Sequence, residues 1–125
     1  MPIKPSPVEL GRIAEQAALS FLMGKGLTLL TRNYACRLGE IDLIMRDSDQ
    51  LVFVEVRLRS NRFYGDGLAS ITRQKQKRII LAAKHFLSSK SSFAHFNCRF
   101  DVVAISRPNG VFCHNWIRNA FSDYN

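Results

Sequence analysis

Gly39-Glu40-Ile41-Asp42-Leu43-Ile44-Met45-Arg46 and Leu51-Val52-Phe53-Val54-Glu55-Val56-Arg57-Leu58 flank the polar link Asp47-Ser48-Asp49-Gln50. Both flanks are rich in Ile, Leu, Val and Phe, so the stretch predicts a β-hairpin. A symmetric hairpin centred between Ser48 and Asp49 pairs Arg46 with Leu51, Ile44 with Phe53, Asp42 with Glu55, and Glu40 with Arg57. Directly opposed Cβ atoms lie about 4.5–5.5 Å apart, where like charges destabilise the pair. Two carboxylates so placed need a counter-charge, and a divalent metal is the usual one. Without a metal, the pair needs an ion network with Arg57 and Arg46. Alternation puts Ile41, Leu43 and Met45 on one face and Glu40, Asp42, Ile44 and Arg46 on the other. In the next strand Val52, Val54, Val56 and Leu58 share a face opposite Phe53, Glu55 and Arg57. A bulge at the turn would undo this register.

Upstream, Ser6-Pro7-Val8-Glu9 reads as a helix start, with Ser6 as N-cap, Pro7 at the first helical position and Glu9 closing a capping box. The stripe Leu10, Ile13, Ala14, Ala17, Phe21 has helical spacing, and Gly24 and Gly26 end the helix. Glu15 lies beside that stripe. Gly11 and Ala18 are small enough for close packing that would lay Glu15 along the sheet, although an exposed glutamate is the commoner outcome. Leu27 to Tyr34 makes a first strand. Downstream, Arg59 to Leu68 is a polar, Gly-containing loop beside the carboxylates and the candidate mobile segment. Thr72 or Ser70 caps a second helix through about Leu87, with the stripe Ile79, Ile80, Ala83, Phe86 and Leu87. Phe100 to Ile105 is a fourth strand, Pro108-Asn109-Gly110 turns into a short fifth, and residues 116–121 finish as a helical turn.

With 125 residues, 46% of them hydrophobic, the chain reads as one domain over residues 6–125 behind a disordered tail of residues 1–5. No apolar run nears the roughly 18 residues of a membrane span. The first residues lack the apolar stretch of a secretory signal, and Cys36, Cys98 and Cys113 form no CxxC. The expectation is a cytoplasmic protein with small buried thiols. A zinc site from His95, Cys98, Cys113 and His114 is disfavoured, because adjacent Cys113 and His114 point to opposite faces of a strand.

Net charge is +8, from 18 Lys and Arg against 10 Asp and Glu. The cations cluster: Arg57, Arg59 and Arg62 leave one strand, and Arg73, Lys75, Lys77 and Arg78 open the following helix. Such clustering favours a polyanion, and nucleic acid is the expected partner. Asp101 reads as a strand-end or supporting residue, and Phe53, Phe63 and Tyr64 as packing and loop anchors.

An acid on one strand followed by Glu-x-basic on the next is an arrangement of metal-dependent phosphodiesterases. Asp42, Glu55 and the backbone carbonyl of Val56 would hold Mg²⁺ or Mn²⁺ through hard oxygens. Arg57, on the face of Glu55, would stabilise charge on the reacting phosphate.

Gly-Glu-Ile-Asp-Leu-Ile, Leu-Val-Phe-Val-Glu-Val-Arg, Ser-Ile-Thr-Arg-Gln-Lys-Gln-Lys and Arg-Phe-Asp-Val-Val occur in that order. Together they resemble the YraN-like proteins, grouped with the PD-(D/E)xK nucleases of restriction-endonuclease-like fold. The resemblance runs from Gly11 to Phe121. It implies an α/β fold with an αβββαβ core, a mixed central sheet flanked by helices, and Glu15, Asp42 and Glu55 as the acidic cluster. By analogy with archaeal Holliday junction resolvases it implies a DNA endonuclease acting on branched or single-stranded substrate; a homodimer is left open. One position departs: the motif's last residue is usually Lys and here is Arg57. Arginine clamps phosphate but does not serve as a base. Lys75, whose Gln74-Lys75 neighbourhood also matches, would supply an ammonium, and Arg59, Arg62, Arg73 and Lys77 would contact the nucleic acid. The alternative is a nucleic-acid-binding module whose nuclease site is vestigial.

Overall fold

The computed structural model describes residues 5–59, 71–106 and 111–123. Arg62, Phe63, Tyr64 and most of the expected mobile loop and N-terminal tail lie outside the described residues. Helix α1 (Pro7–Gly24) starts where its cap requires: the Ser6 side chain accepts the Glu9 N–H at 3.2 Å, with Pro7 in the first turn. Strands β1 (Thr28–Cys36), β2 (Gly39–Asp47) and β3 (Gln50–Leu58) follow, then α2 (Arg73–Ser89), β4 (Asn97–Ser106) and β5 (Cys113–Phe121). The strands form one sheet in the order β1-β2-β3-β4-β5. All neighbours are antiparallel except β3 and β4, which run parallel with α2 between them in sequence. This is a mixed α/β fold consistent with an αβββαβ core.

The hairpin register is the one the turn symmetry demands, with Ile44 opposite Phe53, Arg46 opposite Leu51 and Asp47 opposite Gln50. Ser48 takes φ 56° to close the turn. Each helix covers one face of the sheet. Ala14, Ala18, Leu19 and Leu22 of α1 pack on Leu43, Met45, Val52, Val54, Val103 and Ile105. Ile79, Ile80, Ala83 and Phe86 of α2 pack on Ile41, Ile44, Leu51, Phe53, Phe100 and Val102. Phe53 is a core residue, stacked on Phe100 at 5.5 Å between ring centroids, as a packing anchor should be.

Several expectations change. The buried line of α1 is Ala14, Ala18, Leu19 and Leu22, while Ile13 is 37% exposed. The short alanines let the helix lie close to the sheet, which turns Ile13 outward. Residues 116–121 are not helical: β5 continues to Phe121, pairing Val103 with Trp116 and Phe100 with Phe121. Its alternation is hidden by Asn119, at φ 51° beside a break in register between Phe100 and Val102. The thiols are not buried either: Cys98 and Cys113 are exposed and Cys36 is half-buried. Cys98 lies near the start of β4 and Cys113 opens β5 opposite Ser106, so the four zinc candidates are not brought together.

Asp101 is not at a strand end but in mid-β4, fully buried. Its carboxylate accepts Arg99 Nε at 3.1 Å, Trp116 Nε1 at 2.9 Å and the Asn119 N–H at 2.9 Å. Arg99 also donates to Gln50 Oε1 at 2.7 Å, while its Nη2 lies 3.1 Å from Asp47 Oδ2 without the alignment of a hydrogen bond. The network ties the β2–β3 turn to β4 and β5. Removing one member of a buried charged pair strands the other. Asp101→Ala is therefore expected to lower unfolding free energy by about 3 kcal/mol, measured by urea denaturation.

Candidate metal centre

The regular pairing of β2 and β3 runs only as far as Leu43 opposite Val54. The next residue is Asp42. Instead of continuing the ladder, its Oδ2 accepts the Val56 N–H at 2.8 Å. On the other side, Arg32 pairs with Leu43 and Tyr34 with Ile41, leaving Asn33 between them at φ 51°. Face alternation breaks at the same place. Ile41 packs with Ile44 under α2, whereas Leu43 and Met45 face α1, so the expected grouping of Ile41 with Leu43 and Met45 fails. An interruption of this kind re-aims one side chain, here Asp42. Glu40 lies beyond the paired stretch and so is not a ladder partner of Arg57.

Glu55, mid-β3 and 3% exposed, meets the Asp42 carboxyl. Burial, then the Glu55 charge, then the hydrogen bond between the two carboxyls push Asp42 up from 3.8 to about 7. The Val56 amide and Lys75 pull the other way without winning. Asp42 thus keeps a proton into the neutral range. Lys75 Nζ, from the first turn of α2, lies 2.7 Å from Glu55 Oε2, and Arg57 Nη1 lies 3.7 Å from the same oxygen. The ammonium sits off the hydrogen-bonding line, so that buried oxygen has charge nearby but no well-formed hydrogen bond. Arg46 does not join: its Nε donates to Ser48 O at 2.7 Å and its guanidinium covers Phe96 at 4.8 Å. The metal-free counter-charge is Lys75 with Arg57.

Glu15 follows Ala14 on α1 and leans along the sheet rather than into water. Its Oε1 accepts Arg32 Nη2 at 3.1 Å and Asn33 Nδ2 at 3.1 Å, both from β1. With Asp42, Asn33 and Val56 it lines a cavity of 410 Å³. Arg32 and Asn33 were not legible as site residues. The available signal was a polar Arg-Asn pair inside a strand, with Asn being a residue that tolerates left-handed backbone.

The donors suit a hard cation: two carboxylates, and a Val56 carbonyl on the residue whose N–H Asp42 already holds. Among the described residues, no three His, Cys, Asp or Glu side chains are grouped to hold an ion. The fit therefore rests on two carboxylates and a carbonyl, which suits Mg²⁺, an ion that retains several waters.

The remaining basic residues separate. Lys75 and Arg78 face the β1–β2 turn. Arg73 and Lys77 line a different groove with Gln76, Ile80 and Asn119. The Arg59 N–H donates to Ile105 O at 2.7 Å, just beyond β3.

Among the described residues, the fold is mixed α/β: a five-stranded sheet with one helix on each face and a carboxylate pair, Glu55 buried and Asp42 half-buried, where its central hairpin parts. Residues 14–105 match the Uncharacterised protein family UPF0102, and the chain belongs to that family. A UPF0102 protein of Pseudomonas putida is 49% identical over 117 residues, covering 93% of this chain and 95% of its own. One from Nitrosomonas europaea is 52% identical over 115 residues, covering 90% and 93%, and one from Alcanivorax borkumensis is 45% identical over 122 residues, covering 97% and 98%. This is the family that the YraN-like resemblance anticipated. Among the described residues no helix is long and apolar enough to cross a membrane.

Proposed function

We propose that the protein is a divalent-metal-dependent endonuclease acting on DNA, with branched or single-stranded DNA as its substrate. The observation that carries this reading is the Asp42–Glu55 pair: two carboxyls held together, Glu55 buried and Asp42 half-buried, with Asp42 pushed to about 7 chiefly by burial and then by the Glu55 charge. Mg²⁺ or Mn²⁺, held by Asp42, Glu55 and the Val56 carbonyl, would supply Lewis-acid activation of the phosphodiester and of water. The chain's own cations do the rest. Arg57 cannot act as a base, so its part is to neutralise charge on the phosphate as it gains negative character. Lys75, released from Glu55, turns its ammonium toward the same phosphate. Glu15 holds its place through Arg32 and Asn33 and orients water in the cavity it shares with Asp42. Cleavage of single-stranded or junction DNA by the purified chain with Mn²⁺, abolished by chelator, tests the reading. No cleavage of any DNA form with either ion would end it.

The Lys75–Glu55 ion pair supports a second reading, because it already neutralises the carboxylate that a metal would need. On that reading the chain binds nucleic acid without cutting it. Lys75→Met separates the two. If Lys75 and a cation compete for Glu55, the variant binds Mg²⁺ several-fold more tightly by calorimetry. Having lost its phosphate-directed ammonium, it then cleaves about a hundredfold more slowly. On the non-catalytic reading the substitution leaves metal affinity unchanged.

A further inference from the structure

A cavity of 670 Å³ opens between the β1–β2 turn and the start of α2. Its walls include Arg37 and Leu38 from the turn, Glu40 from the start of β2, and Gln74, Lys75 and Arg78 from the helix. Three cations there face one carboxylate. Arg37 and Arg78 are exposed, and neither forms an ion pair among the described residues. Gly39 makes the close approach that shapes the floor: a Cβ on it would stand 2.5 Å from the Arg78 carbonyl oxygen. Leu38, at the tip of the turn, is 45% exposed beside these cations.

We infer that this cavity is a subsite for one strand of DNA on its way to the carboxylate pair, an inference that rests on the nucleic-acid reading above. Arg37 and Arg78 hold backbone phosphates, and Leu38 offers an apolar surface to a base. Charge is the first argument, since a cationic groove tracks a phosphate backbone. Size is the second. The cavity lies within the roughly 300–1,000 Å³ of small-ligand sites, which accommodates a nucleotide or two and not a duplex. Continuity is the third: Lys75 lines the cavity and also lies 2.7 Å from Glu55, so a strand seated there leads to the site. The last is the exposed leucine between cations, the kind of residue that wedges against unstacked bases. The groove of Arg73 and Lys77 lies apart from this path and serves as the comparison.

The test is fluorescence anisotropy on the whole chain in chelator, so that cleavage plays no part, with labelled oligothymidylate and a hairpin duplex as probes. The Arg37→Ala/Arg78→Ala double variant should bind the single strand about tenfold or more weakly, with a salt slope shallower by about 0.7 for each phosphate no longer neutralised. Duplex affinity should change by less than about twofold. Both arginines are exposed, and circular dichroism checks that the variant is folded. Unchanged single-strand affinity overturns the subsite, and so does an equal drop on both probes, which would mark general attraction. Wild type that binds neither probe overturns the nucleic-acid reading itself, whereas binding without cleavage leaves the subsite standing and removes only the enzyme.

Discussion

Asp42→Ala and Glu55→Ala should each lower metal-dependent DNA cleavage by about a thousandfold or more while leaving DNA affinity within about threefold of wild type. Each substitution removes one of the two carboxylates on which the proposed cation depends, and neither side chain lines the Arg37 and Arg78 groove. Rate and affinity should therefore separate. Matched drops in both would mean that the variants had disturbed the fold, and thermal melts of the same preparations distinguish that case. Full activity in either variant would remove the carboxylate pair from the mechanism.

The second large effect is on stability. In the folded chain Asp42 is raised from 3.8 to about 7, chiefly by burial and then by Glu55. Across that window the folded carboxyl holds a proton that the unfolded one has released, so the metal-free protein loses stability as pH rises from about 4. The loss levels off above about 7, with a ceiling of about 4 kcal/mol. Asp42→Asn keeps an oxygen to accept the Val56 N–H and removes the titration. It should be more stable than metal-free wild type at pH 8, and the advantage should shrink steadily toward pH 4. Urea denaturation of both proteins in chelator across that range measures it. An advantage that stays constant with pH would contradict the buried pair. Adding Mg²⁺ should narrow the gap at pH 8, because the ion binds folded wild type selectively.

The central hairpin was legible because a polar link and two apolar flanks leave little freedom in register, and Ile44 does lie opposite Phe53. The capped start of α1 and the inner face of α2 followed from local chemistry in the same way. What sequence did not reveal depends on interactions between distant segments. The helical turn expected over residues 116–121 is strand because β4 offers an edge and buried Asp101 takes both the Trp116 indole and the Asn119 amide. The break at Asp42 could not be read from alternation, since it needs Asn33 in left-handed backbone on the neighbouring strand. The hairpin brought Asp42 near Glu55 but as a ladder pair; the ladder instead ends at Leu43 and Val54, and the two carboxyls meet through the re-aimed Asp42 side chain. The meeting of Lys75 with Glu55 came from the resemblance rather than from any spacing, because it depends on how α2 packs on the sheet face that carries Phe53 and Glu55. Arg32 and Asn33 escaped notice, being ordinary strand residues until Glu15 of α1 lies over them.

The central claim is that Asp42 and Glu55 hold a divalent cation, and titration calorimetry of wild type and Asp42→Asn with Mg²⁺ and Mn²⁺ tests it most directly. Run at pH 6.5 in two buffers of different ionisation enthalpy, wild type should bind the ion and release most of one proton, since Asp42, raised to about 7, is largely but not fully protonated there. Asp42→Asn should bind at least about tenfold more weakly and release none. Absence of binding by wild type at millimolar ion, with or without DNA, would contradict the account and leave the pair as an ion network closed by Lys75 and Arg57.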